Sequence, residues 1–189
     1  MTTMFASRIS RRSLLKAAAF TITAGALTTA TAPFAKAEPG TIVGTVIDFA
    51  AGVPDAQAVK DGGFLGAVRY VSQRRPGAEW MLGKPVTRQE TDAMANLGLK
   101  TASVYQFGKE ETADWKQGAE GARVHAPQAI ELHRAAGGPT GRPIYVAIDD
   151  NPTREQYDNQ IRPYLQTFRT LLSDAGYSMG IYGNYNTIN

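Results

Sequence analysis

Cysteine is absent from all 189 residues, which excludes disulfides, thiolate nucleophiles and zinc–thiolate centres from this chain. Histidine is nearly as scarce, at two. His125 and His133 fall eight apart on one expected helix, away from strand ends. Two nitrogens without a third ligand make no zinc site, so both read as surface residues. No glycine-rich phosphate loop follows the first strand-like run, which weakens a dinucleotide cofactor. No apolar run reaches the ~20 residues that span a bilayer comfortably; the candidate, Ala17 to Ala32, is broken by threonines. Acidic residues are missing from the first 37 positions, where Arg8, Arg11, Arg12, Lys16 and Lys36 lie. Setting those five aside leaves 15 basic against 17 acidic residues, so the formal +3 of the whole chain becomes −2. No basic patch then argues for nucleic acid as a partner.

What is present at the N-terminus has a familiar form. Ser10-Arg11-Arg12-Ser13-Leu14-Leu15-Lys16 reads as a twin-arginine export motif, and Ala35-Lys36-Ala37 as an A-x-A cleavage site after the apolar run. Residues 1–37 are expected to be a cleaved signal peptide. The twin-arginine translocase is then a partner during export, with no stable membrane anchor after cleavage and an extracellular or cell-envelope destination. Residues 38–189 suffice for one hydrophobic core.

From Thr41 onward, strand and helix signals alternate. Strands are expected over Thr41–Phe49, Phe64–Val71, Lys100–Phe107, Pro143–Ile148 and Met179–Tyr182. Pro54 opens a short helix that Gly62-Gly63 closes. Capping boxes at Thr87/Glu90 and Thr153/Gln156 open two further helices. Thr112 to Ala136 reads as mostly helical, with Gly118, Gly121 and Pro127 interrupting it. Five such units predict a parallel α/β sheet, either doubly wound or barrel-like. Strand parity favours a barrel. Val43 and Ile47 are expected to face helices, with Gly44, Val46 and Asp48 inward. Ala102 and Val104 are likewise expected outward, with Ser103 and Tyr105 inward. The fourth strand runs into Asp149-Asp150 and the fifth into Gly183-Asn184. Chemistry in parallel α/β folds gathers at such carboxyl ends.

The segments IDFAAGVPDA, GAVRYVSQRRPGAEWMLGKPVT, SVYQFGKEETADW, AAGGPTGRPIYVAIDDNPTREQYDNQIRPYL and GIYGN occur in this order behind the export motif. Together they closely resemble a glycoside-hydrolase-like family of actinobacterial envelope proteins, long labelled a domain of unknown function. The family's fold is similar to that of the family 25 lysozymes. The resemblance implies a TIM-barrel-like (β/α) glycoside hydrolase fold over 38–189, incomplete, with about five β–α units present. Family members continue past GIYGN, so the chain resembles a C-terminally truncated member. An acidic pocket is implied at the top of the barrel. Asp48, Asp149 and Asp150 map there as catalytic candidates, and Asn184 as a binding residue. The lysozymes carry D-x-E at the fourth strand; here the pair is D-D, and no glutamate stands at the acid's position.

Arg69, Tyr105, Tyr182 and Trp80 complete the expected substrate-binding set, with no metal and no cofactor. Glycoside hydrolysis needs two carboxyl groups flanking the bond, about 5–5.5 Å apart for retention or about 6.5–9.5 Å for inversion. One must hold its proton more tightly than usual. The reading is therefore an exported protein that acts on or binds cell-wall polysaccharide or peptidoglycan. The alternatives are a non-catalytic saccharide-binding or structural envelope protein, or a fragment without function.

Overall fold

The computed structural model describes residues 42–184; the expected signal peptide lies outside the described residues. Five strands form one sheet in the order β1-β2-β3-β4-β5, every neighbouring pair parallel. They are β1 (Ile47–Asp48), β2 (Gly66–Tyr70), β3 (Lys100–Tyr105), β4 (Pro143–Ile148) and β5 (Ser178–Gly183). The crossovers contain α1 (Ala56–Asp61), α2 (Arg88–Asn96) and α3 (Gly118–Ala135). The last crossover joins α4 (Arg154–Gln156) through a π turn at Tyr157–Ile161 to α5 (Arg162–Asp174).

Local sequence accounts for the helix ends. The Asp55 carboxylate accepts from the Gln57 and Ala58 amides, so α1 starts just after Pro54 rather than on it. Thr153 and Gln156 form the expected reciprocal capping box of α4. At α2 only half of the expected box exists. Thr87 Oγ1 accepts from the Glu90 amide, but the Glu90 carboxylate turns inward to Arg69. Gly118 begins α3 with φ of 55°, whereas Gly121 and Pro127 lie inside it without ending it. Pro127 sits on the exposed side, where water can take up the carbonyl that its missing N–H leaves unpaired.

The two faces of the sheet differ. On one, Val71, Tyr105, Ile144, Val146 and Ile148 pack with Ala122, Ala126 and Ala129 of α3 and Tyr164, Phe168 and Leu172 of α5. Ile47 and Ala67 extend that face against Val59 of α1 and Met94 of α2. The other face gathers Val68, Val104 and Ala147 with Val46, Tyr70, Ala102, Tyr145 and Tyr182, and no helix residue joins this cluster among the described residues. A doubly wound sheet reverses its strand order and covers both faces. Sequential order with helices on one side excludes that alternative here.

The registers decide parity strand by strand. Ile47 faces the helices and Asp48 the inner side, as expected. On β3 the expectation is reversed. Ala102 and Val104 are the inner residues, while Ser103 and Tyr105 reach back to His133 and His125 of α3. The histidines are accordingly buried, not on the surface. On β5, Gly180 and Tyr182 face inward. A Cβ at Gly180 would collide with the Tyr145 ring, so this glycine lets the ring lie across the strand.

Candidate functional site

Asp48 leaves β1 on the inner face, where it meets the end of β2. Tyr70 Oη donates to Asp48 Oδ2 at 3.0 Å. Asp48 Oδ1 is buried with no hydrogen-bond partner among the described residues. Burial therefore raises the proton affinity of Asp48, and the neighbouring Asp149 raises it further. The Tyr70 hydroxyl and the charges of Arg69 and Lys84 act in the opposite direction without overcoming burial. Tyr182 stands close enough to both carboxylates for their charge to disfavour its ionisation, after burial has done so first.

Asp149 follows β4 on the same face and is much more open. Lys109 Nζ lies 3.4 Å from Asp149 Oδ2, both side chains being well exposed. The two carboxylates thus sit in unlike surroundings, one half-buried and tied to a phenol, the other more open and beside an ammonium. Unlike environments are what separate an acid from a base in a carboxylate pair.

Asp150, expected beside Asp149 as a catalytic group, turns elsewhere. Its Oδ2 accepts from Trp115 Nε1 at 2.8 Å and its Oδ1 from the Glu110 amide at 3.3 Å. Adjacent residues of an extended chain point to opposite sides, which accounts for the divergence. Asp150 clasps the segment between β3 and α3 to the end of β4. Glu110 is the one non-glycine residue with positive φ among the described residues, at 53°. Local strain there coincides with the amide that Asp150 engages. Asn184 donates through Nδ2 to Asp150 O at 2.6 Å and to Asn151 Oδ1 at 3.0 Å. It therefore stands at the end of β4, beside the clasp.

Two expected binding residues lie on the helix face. Arg69 is 0% exposed; it pairs with Glu90, donates to the carbonyls of Phe49 and Gly83, and stacks 3.8 Å from the Phe49 ring centroid. A charge in mid-strand costs free energy unless partners enclose it, and here they do. Tyr105 is equally buried, its hydroxyl 2.6 Å from His125 Nδ1 and 3.2 Å from Gln128 Oε1. Trp80 is 58% exposed on the loop after β2, near the still more open Leu82 in sequence.

Lys84 has no counterpart among the expected residues. It is 4% exposed; its Nζ donates to Gln106 O at 2.7 Å and lies 4.0 Å from the Tyr70 ring centroid. Burial first, then the charge of Arg75, lowers its pKa to about 8. Loops carry no periodicity, so nothing around Gly83-Lys84-Pro85 marks the lysine as buried. Two surface hollows, one bounded by Gln128 and Glu131 and the other by Arg162 and Arg169, belong to the helix layer and do not include these residues.

A parallel sheet in chain order, helices on one face and carboxylates at the end of β1 and just after β4 define an α/β domain with an acidic strand end. Residues 57–189 match the Rv2525c-like, glycoside hydrolase-like domain, and the chain belongs to that family. It is 46% identical over 182 residues to Rv2525c of Mycobacterium tuberculosis, named as a candidate peptidoglycan hydrolase; the match covers 95% of this chain and 75% of that protein. The crystal structure of Rv2525c, a Tat-secreted protein, with L-tartrate superposes with a TM-score of 0.72 at 51% identity, covering 77% of this chain and 70% of that one. The modular autolysin LytC of Streptococcus pneumoniae shares the fold, with a TM-score of 0.57 at 15% identity over 79% of this chain and 34% of LytC.

Proposed function

We propose that this chain is an exported glycoside hydrolase of the cell envelope that cleaves peptidoglycan or a related wall polysaccharide. The observation that carries the proposal is the unlike carboxylate pair, Asp48 and Asp149, on one face at the strand ends. Asp48 gives its proton to the glycosidic oxygen as that bond breaks. Asp149 attacks the anomeric carbon from the other side as nucleophile, or takes a proton from the water that attacks it. Tyr182, Asn184 and exposed Trp80 are the residues this reading assigns to the sugar, Trp80 by stacking. In this reading the five parallel strands belong to the wall of a TIM-like barrel. Residues 1–37 direct twin-arginine export, a reading supported by the Ser10–Lys16 motif and by the secretion of Rv2525c.

The test is turnover of purified peptidoglycan, followed by release of reducing ends. Asp48→Asn and Asp149→Asn should each lower it by about 10²–10⁴-fold, and Asp150→Asn much less. A second reading, a saccharide-binding protein without turnover, is favoured by one observation: the D-D sequence puts its second carboxylate in a clasp, not opposite Asp48. Retention of the chain on peptidoglycan with no reducing ends above a blank would decide for that reading.

A further inference from the structure

Among the described residues the inner face holds one buried cation, and the reaction as proposed leaves it unused. Lys84 reaches from the loop after β2 to the ring of Tyr70, whose hydroxyl in turn donates to Asp48. Its ammonium cannot drift, because Gln106 O holds it at 2.7 Å. That carbonyl also accepts from Ser72 Oγ at 2.7 Å, which ties the loop to the end of β3. We propose that Lys84 is a positioning residue for Asp48, its ammonium acting through the Tyr70 ring to set how tightly that carboxyl holds its proton. The inference rests on the acid role proposed for Asp48.

The physical argument has two parts. A cation over the face of a phenol withdraws density from the ring, which makes the hydroxyl a stronger donor to Asp48 Oδ2. The same charge also favours the carboxylate directly. Both effects oppose the burial that would otherwise hold Asp48 protonated throughout a turnover cycle. A general acid must release its proton as well as keep it, and Lys84 adds to the counterweight that the Tyr70 hydroxyl and Arg69 supply.

The other charges nearby act by other routes. Arg69 favours the Asp48 carboxylate more strongly than Lys84 does, but from the helix face, held against Glu90 and not through the Tyr70 ring. Asp149 and Tyr182 face Asp48 from β4 and β5 and bring no positive charge. Lys84 itself is faced by Arg75 and Arg69, which disfavour its charge, and by Asp114 and Asp48, which favour it. Burial makes that charge removable just above neutrality, so the counterweight is switchable.

The test is a carbon-detected NMR titration of the Asp48 carboxyl in the full chain, compared with Lys84→Met and Lys84→Arg. Lys84→Met should move the Asp48 transition upward by at least about half a pH unit, and Lys84→Arg should leave it near the unmutated position. An unchanged Asp48 transition in a folded Lys84→Met protein overturns the inference. Should Lys84→Met not fold, the unmutated chain decides: the Asp48 carboxyl carbon should show a second, smaller inflection near pH 8, where Lys84 discharges. Its absence overturns the inference as well. The readout needs no turnover. A chain that cleaves no glycan but passes the titration refutes the hydrolase reading alone, whereas an active chain that fails it refutes only the role of Lys84.

Discussion

Half-buried Asp48 and fully buried Arg69 adjoin the same sheet end and have opposite consequences for stability. Asp48 has a folded-state pKa raised by burial, so ionising it is easier in the unfolded chain. Its contribution is fully present below the unfolded value and is lost as pH rises through the folded one. Asp48→Asn removes that loss. The variant should melt at a higher temperature than the unmutated chain at pH 7, with the difference shrinking as the pH falls toward 4. A melting temperature at pH 7 equal to or below the unmutated one would contradict the burial argument. Arg69 is the reverse case. Removing it strands Glu90, two backbone carbonyls and the face of Phe49. Breaking a buried pair on one side costs about 3–5 kcal/mol, and Arg69→Met should show that loss in urea unfolding. Restoring much of the stability with a second change, Glu90→Leu, would confirm that the stranded carboxylate is the cause.

Helix α3 shows how polar groups placed in the core report on pH. His125 and His133 sit on its sheet-facing side, bonded to Tyr105 and Ser103, and burial lowers the pKa of both below 6.5. A base held neutral in the fold binds its proton first in the unfolded chain. The histidines' contribution to stability should therefore decline as pH falls below about 6.5, against the rise from Asp48. His133→Gln should flatten this slope in a series of thermal melts between pH 5 and 7; an unaltered slope would place its source elsewhere. The two histidines were also visible in principle. Buried α3 positions run 118, 121, 122, 125, 126, 129 and 133, a helical stripe to which both belong. Strand order, the helix caps and the inner position of Asp48 are legible because they follow from local alternation and capping chemistry. The face of β3 is not. Lys100–Tyr105 alternates small and polar residues on both sides, and the tie-breaker is a histidine twenty residues away. Arg69 misleads for the same reason: its partner, Glu90, looks like half of a capping box. Lys84 is hidden because a loop's burial depends on what it folds over.

At the scale of the whole molecule, the site joins two cores of unequal size. The larger one buries Tyr105, Ile144, Val146, Ile148, Tyr164, Phe168 and Leu172 between β3–β4 and helices α3 and α5. Each fully buried side chain of this kind contributes about 1.5–3 kcal/mol. The smaller core has Ile47, Val59, Ala67, Met94 and Leu99, served by a two-residue β1 and a six-residue α1. Local opening free energies follow such differences in burial. Asp48 therefore stands on the less stable part and Asp149 on the more stable part. Amide hydrogen exchange should reach β1 and α1 well before β4 and α5. Phe168→Ala should cost about 3–5 kcal/mol and accelerate exchange throughout, since it opens the larger core. Met94→Ala should accelerate exchange mainly in β1, α1 and α2. A saccharide bridging the two carboxylates must hold both parts together, so it should slow exchange in β1 and α1 more than in α5. Uniform exchange in the free chain, or protection confined to α5 on adding peptidoglycan fragments, would show that the two cores open as one or that the ligand binds away from Asp48.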